Sequence, residues 1–410
     1  MPPPDELTED ERRRVRKTCE ATLRENWREG RRHSDGAPFA YTCPSPGHYP
    51  WQWYWDSCFS AIVWRRFDPG RARRELESLL AAQRPDGFIG HTIFWNTPLT
   101  GTRRFTYNVL SPTAPMTATI QPPLLAWAWR IAVGDPREVP GIARQHEWLE
   151  THRDLDGDGL IWIIQPDESG LDASPQFDPI WGQEAHGLPG FVRLVRRNRR
   201  HGFDLRRVAA AGGPVCCEVM TNVLHSLSRS AVGLPSLTSA IVARMYDSSH
   251  GLFWPIACPP HRPRTPLTWS ALSPLALPDL PEAIGHRLVR EHLLDPERFW
   301  LPVPAPSVAA GDSSFSVQDR ARLGFKRYWR GPSWVNASWL LWLGLVRLGY
   351  ASEARQLAAR VGQAVERSGL REYYHPYTGA GMGASAFAWS TLALEMLEPD
   401  PRAATSYLAP

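Results

Sequence analysis

The sequence predicts an all-α chain of successive helices joined by alternating long and short connections. Two observations carry this. Apolar residues recur at helical spacing along most of the 410 residues, and strict apolar–polar alternation is scarce. Long Pro/Gly-rich connections also alternate roughly with short ones, which in a helical ring gathers the long loops on one rim and the short turns on the other.

The elements follow in order. Thr8 with Glu11 three residues later forms a capping-box pattern and opens a helix over 8–28. Similar spacing predicts helices near 51–66, 70–83, 117–133, 137–153, 187–200, 214–232, 235–246, 281–293, 334–348, 351–368 and 385–397. In 351–368, Ala354, Leu357, Ala358, Val361 and Val365 make one apolar stripe, with Arg355, Arg360 and Glu366 opposite. The long connections are 34–50, 84–116, 154–186, 251–280 and 294–333. They carry Trp, Tyr, Phe and His rather than Ser, Gly and Lys, so they are expected to be ordered and packed as the rim. No repeat and no compositional break marks a linker, and 1–410 reads as a single domain.

Composition excludes several function classes. A hydrophobic content of 43% supplies a sizeable core, and a net charge of +4 is small for this length, so no nucleic-acid partner is expected. The dense basic stretch Arg193, Arg196, Arg197, Arg199, Arg200, Arg206, Arg207 reads as a solvated helix end and loop. Cys19, Cys43, Cys58, Cys216, Cys217 and Cys258 lack metal-ligand spacing and read as reduced buried thiols. The start, Met-Pro-Pro-Pro followed by charged residues, has no apolar signal-peptide core, and no apolar run reaches the roughly 18 residues of a membrane span. A cytoplasmic protein without a membrane partner is expected.

Chemistry concentrates in three segments. In Tyr49-Pro-Trp-Gln-Trp-Tyr-Trp-Asp56, Pro50 suits a helix entry, and Asp56 stands among aromatics, where a carboxylate is costly unless paired or bound to something polar. Trp53 and Trp55 beside it offer flat faces for sugar C–H surfaces, although an Asp paired to an Arg or a backbone amide fits the same residues. The loop Gln165-Pro-Asp-Glu-Ser-Gly-Leu-Asp172 holds Asp167, Glu168 and Asp172, either a solvated turn or a source of acids. Glu372 lies in Arg371-Glu-Tyr-Tyr-His-Pro376, just after a helix and before the run Gly379–Gly383. Glycoside hydrolysis needs one proton-donating and one proton-accepting carboxyl, and a ring can bring Asp172 and Glu372 across one cavity. Trp329, Arg330 and Trp334, within Tyr328-Trp-Arg-Gly-Pro-Ser-Trp334, line the same mouth or form a plain helix start. Asp154-Leu-Asp-Gly-Asp-Gly159 resembles the start of a calcium loop, but Gln165 replaces the twelfth-position Glu, so it reads as a tight acidic turn supporting the catalytic loop, without metal.

Taken in order, Tyr49–Asp56, Asp86-Gly-Phe-Ile-Gly-His91, Ile120-Gln-Pro-Pro123, Asp154–Asp172, Tyr328–Trp334 and Glu372–Pro376 resemble glycoside hydrolase family sixty-three, in its mannosylglycerate and glucosylglycerate hydrolase branch. The resemblance covers about residues 40 to 397 and rests on the order and spacing of all six motifs. It implies an (α/α)6 toroid, no cofactor or metal, and inverting hydrolysis of a small α-linked glycoside. It also implies roles. Asp172 matches the general acid and Glu372 the general base. Tyr49, Trp53, Trp55, Asp56, Gln121 and Trp334 match the glycone subsite, and Tyr328, Trp329 and Arg330 the side facing the leaving group. After the acid, the family's Asn-Ser-Pro-Arg-Trp is here Ala173-Ser-Pro-Gln176-Phe177. Near the C-terminus, Gln-Asp-Phe-Ser-Trp is here Ser385-Ala-Phe-Ala-Trp389. Both changes remove polar groups near the presumed aglycone side, so glycerate is not the expected leaving group.

Two other readings use the same residues. A sugar epimerase on this toroid needs facing histidines, for which His91, His186, His225 and His375 are available. A non-catalytic carbohydrate-binding protein needs only the aromatic cavity, and the retained acids argue against it.

Overall fold

A computed structural model describes residues 6–111, 115–182, 188–259, 266–318 and 327–398. Six inner helical segments pack side by side in a closed ring: Tyr54–Trp64, Leu125–Ala132, Val219–Ala231, the 3-10 helix Trp269–Ala276, Val335–Arg347, and the 3-10 turn Ala388–Leu392 continued by Ala393–Leu397. The last returns to the first. Outside them run Glu9–Asn26, Pro69–Ala82, Pro140–Arg153, Thr238–Met245, Glu282–Leu288 and Ala351–Ser368. This is the expected (α/α)6 toroid.

Residue pattern decides which helix goes where. Every residue of Tyr54–Trp64 is buried, and Val335–Arg347 is buried from Val335 to Leu345, as helices flanked on all sides must be. Ala351–Ser368 instead buries one stripe, including Ala354, Leu357, Ala358, Val361 and Val365, as its sequence predicts. The two ends of the chain complete the ring. Glu9–Asn26, opened by the Thr8–Glu11 capping box, packs on Ala351–Ser368 and on Ala393–Leu397. Arg65, at the end of the first inner helix, donates to the buried Glu395 of the last at 2.6 Å. Among the described residues, no helix is long and apolar enough to cross a membrane.

The structure corrects several boundaries. The helix expected at 51–66 begins at Tyr54, because Gln52–Trp53 form a short strand with Thr92–Ile93, so Pro50 stands before that strand and not at a helix entry. The helix expected at 117–133 shrinks to Leu125–Ala132, since Pro122 and Pro123 lack the N–H donors a helix needs. Trp269–Ala276, assigned from sequence to a connection, is the fourth inner segment; Pro274 within it hides the helical period. Leu188–Arg200 is helical as expected, yet it packs on the rim at Ile164, Gln165 and Val109 rather than joining the ring. The stretch 385–397 divides between the strand Gly381–Ser385 and the last inner segment. Among the described residues, ten short strands pair two by two as antiparallel ribbons.

One buried acid ties rim to ring. Glu75, on outer helix Pro69–Ala82, accepts from the Thr42 N–H at 2.7 Å, the Thr42 hydroxyl at 2.6 Å and the Ser57 hydroxyl at 2.6 Å. Burial outweighs these bonds and pushes its carboxyl up from 4.5 to about 8. A raised carboxyl pKa contributes stability below the unfolded value that is lost as pH rises through the folded one. Thermal unfolding is therefore expected to show a fall in melting temperature between about pH 5 and pH 8. Glu75→Gln should flatten that fall, and an unchanged slope would show that another group causes it.

Candidate active site

The rim loops deliver the site. The strand Arg371–Tyr374 pairs with Gly381–Ser385, and Ser333 and Tyr374 exchange backbone bonds of 2.9 Å in both directions. Glu372, expected in a loop, thus sits on a strand locked to the segment that carries Trp334, and the glycine run 379–383 supplies part of the partner strand. Glu372 is 3% exposed. The Tyr49 hydroxyl donates to its Oε1 at 3.0 Å and the Ala384 N–H to its Oε2 at 2.9 Å, while the Trp389 indole donates to its backbone carbonyl at 3.3 Å. Gly383, at φ +66°, passes so close that a Cβ there would stand 2.6 Å from Glu372 Oε2.

Asp172 arrives on a loop built for close approach. Glu168 turns inward, 0% exposed, and pairs bidentately with Arg153 at 2.7 Å and 2.7 Å. Its oxygens also accept the Ile120 N–H at 3.1 Å and the Ile164 N–H at 2.8 Å. Next, Gly170 at φ +72° lies against the face of Trp55, where a Cβ would come within 2.5 Å of the ring. Two residues on, Asp172 keeps partial exposure and accepts the Tyr328 hydroxyl at 2.7 Å.

The two tyrosines relate the two acids. Burial pushes the Tyr49 hydroxyl far above its usual value, and the charges of Glu372 and then Asp172 add to it. Burial does the same to Tyr328, followed by Asp172, Tyr49 and Glu372. Each phenol lies in the field of both carboxyls. Both remain protonated donors across any working pH.

Aromatic rings form the walls. Tyr49 meets Trp53 edge-on at 5.6 Å, and Tyr328 stacks on Tyr373 at 6.0 Å. Trp334 lies over Trp329 at 3.7 Å and against Trp389 at 5.5 Å. Of the aromatic residues singled out from sequence, Tyr49, Trp53 and Tyr328 keep partial exposure. Trp55, Trp329 and Trp334 are buried at 2%, 1% and 1%, and act as backing for the residues in front. Gln121 is buried too, its amide oxygen accepting the Trp55 N–H at 3.0 Å. Asp56 is 2% exposed; burial first, then the charges of Glu372 and Glu75, raise its carboxyl well above the usual range. Arg330 is ion-paired with Asp178 at 2.7 Å, both largely buried. Tyr373, Phe387 and Trp389 also belong to the site. All three lie within the sequence motifs around Glu372 and Ser385–Trp389, which gave them no role of their own.

Other candidates resolve into structural roles. Asp154 accepts the N–H groups of Asp156, Gly157 and Gly159 at 3.1, 2.7 and 2.9 Å, and Arg244 bridges Asp156, at 2.7 Å, and Asp158. Backbone N–H groups and Arg244 thus partner the three carboxylates of this turn. Among the described residues there is no group of three or more His, Cys, Asp or Glu that could hold a metal. The histidines point to different places. His91 packs on Trp53 at 5.0 Å, and burial pushes it down to about 3. His225 stacks on His146 at 5.8 Å in the wall between Val219–Ala231 and Pro140–Arg153, and His375 accepts N–H bonds within the hairpin turn. His186 lies outside the described residues.

The model of the mannosylglycerate hydrolase MGH1-like glycoside hydrolase domain matches residues 49–225 and 230–390. The chain belongs to this family. It is a glycoside hydrolase. Relatives include mannosylglycerate hydrolases from Rubrobacter radiotolerans, 27% identical over 86% of this chain and 92% of theirs, and from Thermus thermophilus, 28% identical over 86% and 95%. A glucosylglycerate hydrolase from Mycolicibacterium hassiacum is 26% identical over 86% and 93%. The crystal structure of a family 63 mannosylglycerate hydrolase from Thermus thermophilus, in complex with Tris and D-glycerate, superposes with a TM-score of 0.77. That match is 26% identical and covers 94% of this chain and 99% of that one. A neutral trehalase from Saccharomyces cerevisiae, 16% identical at TM-score 0.57 over 97% and 82%, shares the fold.

The glycine beside Glu372 gives a direct test of this geometry. Gly383→Ala is expected to lower turnover roughly tenfold to a hundredfold by displacing the carboxylate, since misplacement by about 1 Å can cost that much. Thermal unfolding and turnover should be measured together; full activity in the variant would mean that Glu372 tolerates displacement and does not act on the substrate.

Proposed function

We propose that the chain is an inverting α-glycosidase acting on an α-mannoside or α-glucoside with a small aglycone, with Asp172 as general acid and Glu372 as general base. The observation that carries this is the pair of tyrosines. Tyr328 bonds Asp172, Tyr49 bonds Glu372, and each feels both carboxyls across one aromatic-walled hollow.

The reaction is a single displacement. Asp172 gives its proton to the glycosidic oxygen as the bond from the anomeric carbon breaks. Glu372, as carboxylate, takes a proton from the water that attacks the opposite face of that carbon. The sugar leaves with inverted configuration, which requires the two carboxyls to stand roughly 6.5–9.5 Å apart so that the water fits between them. Tyr49 and the Ala384 N–H fix the rotamer of Glu372. Tyr49 and Trp53 shape the glycone side, with Trp55, Asp56, Gln121 and Trp334 packed behind them; Tyr328 shapes the leaving-group side, with Trp329 and Arg330 behind it. The relatives named above act on mannosylglycerate and glucosylglycerate. On the leaving-group side of this chain, Gln176 turns to Glu218 at 3.2 Å and Thr268 at 2.8 Å, and Arg330 is already neutralised by Asp178. Both features favour an uncharged aglycone over glycerate.

A screen of mannosylglycerate, glucosylglycerate, methyl α-mannoside, methyl α-glucoside and glycerol α-glucoside, with the product anomer followed by NMR, tests the reading. The first product from an α-glycoside should be the β-anomer. Asp172→Asn and Glu372→Gln should each lose about 10²–10⁴-fold in turnover while still binding sugar. An α-anomer as first product, or near-normal turnover in Glu372→Gln, would falsify the assignment.

A further inference from the structure

The loop that carries Asp172 holds a second carboxyl at the cavity, Asp167, to which the reaction above gives no part. It is partly exposed, and two side-chain amides grip it. Asn108 Nδ2 donates to its Oδ2 at 2.9 Å, and Gln165 Nε2 to its Oδ1 at 2.6 Å.

The second amide has a fixed direction. Gln165 Oε1 accepts Asn198 Nδ2 at 2.7 Å, and Asn198 Oδ1 accepts Arg197 Nε at 2.9 Å and Nη2 at 2.8 Å. Every link donates toward Asp167, and the series starts at a guanidinium, which has no acceptor. The first amide is supported from the same helix: Arg199 donates to the Val109 carbonyl at 2.8 Å and the Leu110 carbonyl at 3.2 Å, next to Asn108. Part of the basic stretch of Leu188–Arg200 is therefore not a solvated face, although Arg193, Arg196 and Arg200 are exposed.

Asp172 is placed differently. Its partner Tyr328 is a phenol, which can donate to a carboxylate or accept from a carboxylic acid, whereas an amide N–H can only donate. The charged groups around Asp167 are Asp172 and Glu168 on its own loop and Arg197 behind the amides; Glu168 is matched by Arg153, and Tyr328 and Tyr49 face Asp172 from across the cavity. Burial first, then the neighbouring Asp172 and Glu168, push Asp167 up to about 7. Asp172 stands first among the charges that act on Asp167. The amides favour the anion on Asp167, and only Asp172 has a partner that can accept.

We propose that Asp167 is a positioning residue: held ionised by Asn108 and by the Arg197–Asn198–Gln165 series, it keeps the proton of the general acid on Asp172. The proposal rests on Asp172 being that acid. A negative charge beside Asp172 makes its proton harder to lose, so removing the charge must lower the pH at which activity falls on the alkaline side.

The test is the pH dependence of kcat/KM for Asp167→Asn on whichever unactivated glycoside of the screen is turned over fastest. The alkaline limb should move down by about one pH unit, giving roughly tenfold loss above it and near wild-type values at acid pH. On α-mannosyl fluoride or α-glucosyl fluoride, whose leaving group needs little proton help, the wild-type and variant limbs should coincide. Asp167→Ser, which leaves room for a water to accept both amides, should shift the limb the same way and serves if the asparagine variant does not fold. An unmoved limb, or a uniform loss at all pH values on both substrate types, overturns the proposal. If Asp172→Asn loses the unactivated glycoside but keeps the fluoride, while the Asp167 variants leave the limb in place, this inference alone fails. If Asp172→Asn keeps full activity on both, the assignment of the acid fails with it.

Discussion

An ion pair without solvent, Arg153 with Glu168, holds the loop that carries Asp172. Two charges taken out of water cost several kcal/mol each unless every lone pair and proton finds a partner. Here the guanidinium fork matches the carboxylate, and the Ile120 and Ile164 N–H groups take the remaining acceptor positions. Arg153 ends an outer helix, Ile120 precedes Gln121, and Glu168 stands four residues before Asp172. One pair thus joins the scaffold, the glycone side and the acid loop. Removing a single partner of such a pair leaves an uncompensated buried charge, which is why the loop has one arrangement and not several.

Glycines then set the distances. Gly170 lets the acid loop lie on Trp55, and Gly383 lets one strand pass beside the Glu372 carboxylate. In both places a side chain would push the carboxyl away from the cavity. Behind these approaches the aromatic residues pack on one another, Trp329 under Trp334 and Trp389 against Trp55, so that the few rings left partly exposed are held at fixed angles. Rigid rings suit a sugar because its C–H faces are apolar.

The hollow is also a place where carboxyls crowd. Asp56, Asp167, Asp172 and Glu372 come from three parts of the chain, and burial raises the carboxyls of Asp56 and Asp167. Their protonation is then decided by which partners can only donate and which can also accept. Amides and guanidinium groups favour the anion, while phenols accommodate either state.

What the sequence by itself determined is the helical alternation and the long aromatic connections, because periodicity and turn composition are local features, while the motif residues Ser169-Gly-Leu-Asp172 and Glu372–Pro376 single out the two acids proposed here. Family resemblance added the toroid. Tertiary structure alone decided the rest. Trp269–Ala276 joins the ring only because its neighbours bury it, despite Pro274. Glu168 becomes a buried structural acid because Arg153 reaches it, and Arg244, a distant residue, fills the acidic turn at 154–158. Trp55 and Trp334 are buried because other rings, Trp389 among them, pack against them. The distinction is physical: periodicity and turn chemistry are written in neighbouring residues, whereas solvent exclusion, charge partners and proton placement depend on groups that meet only when the ring closes.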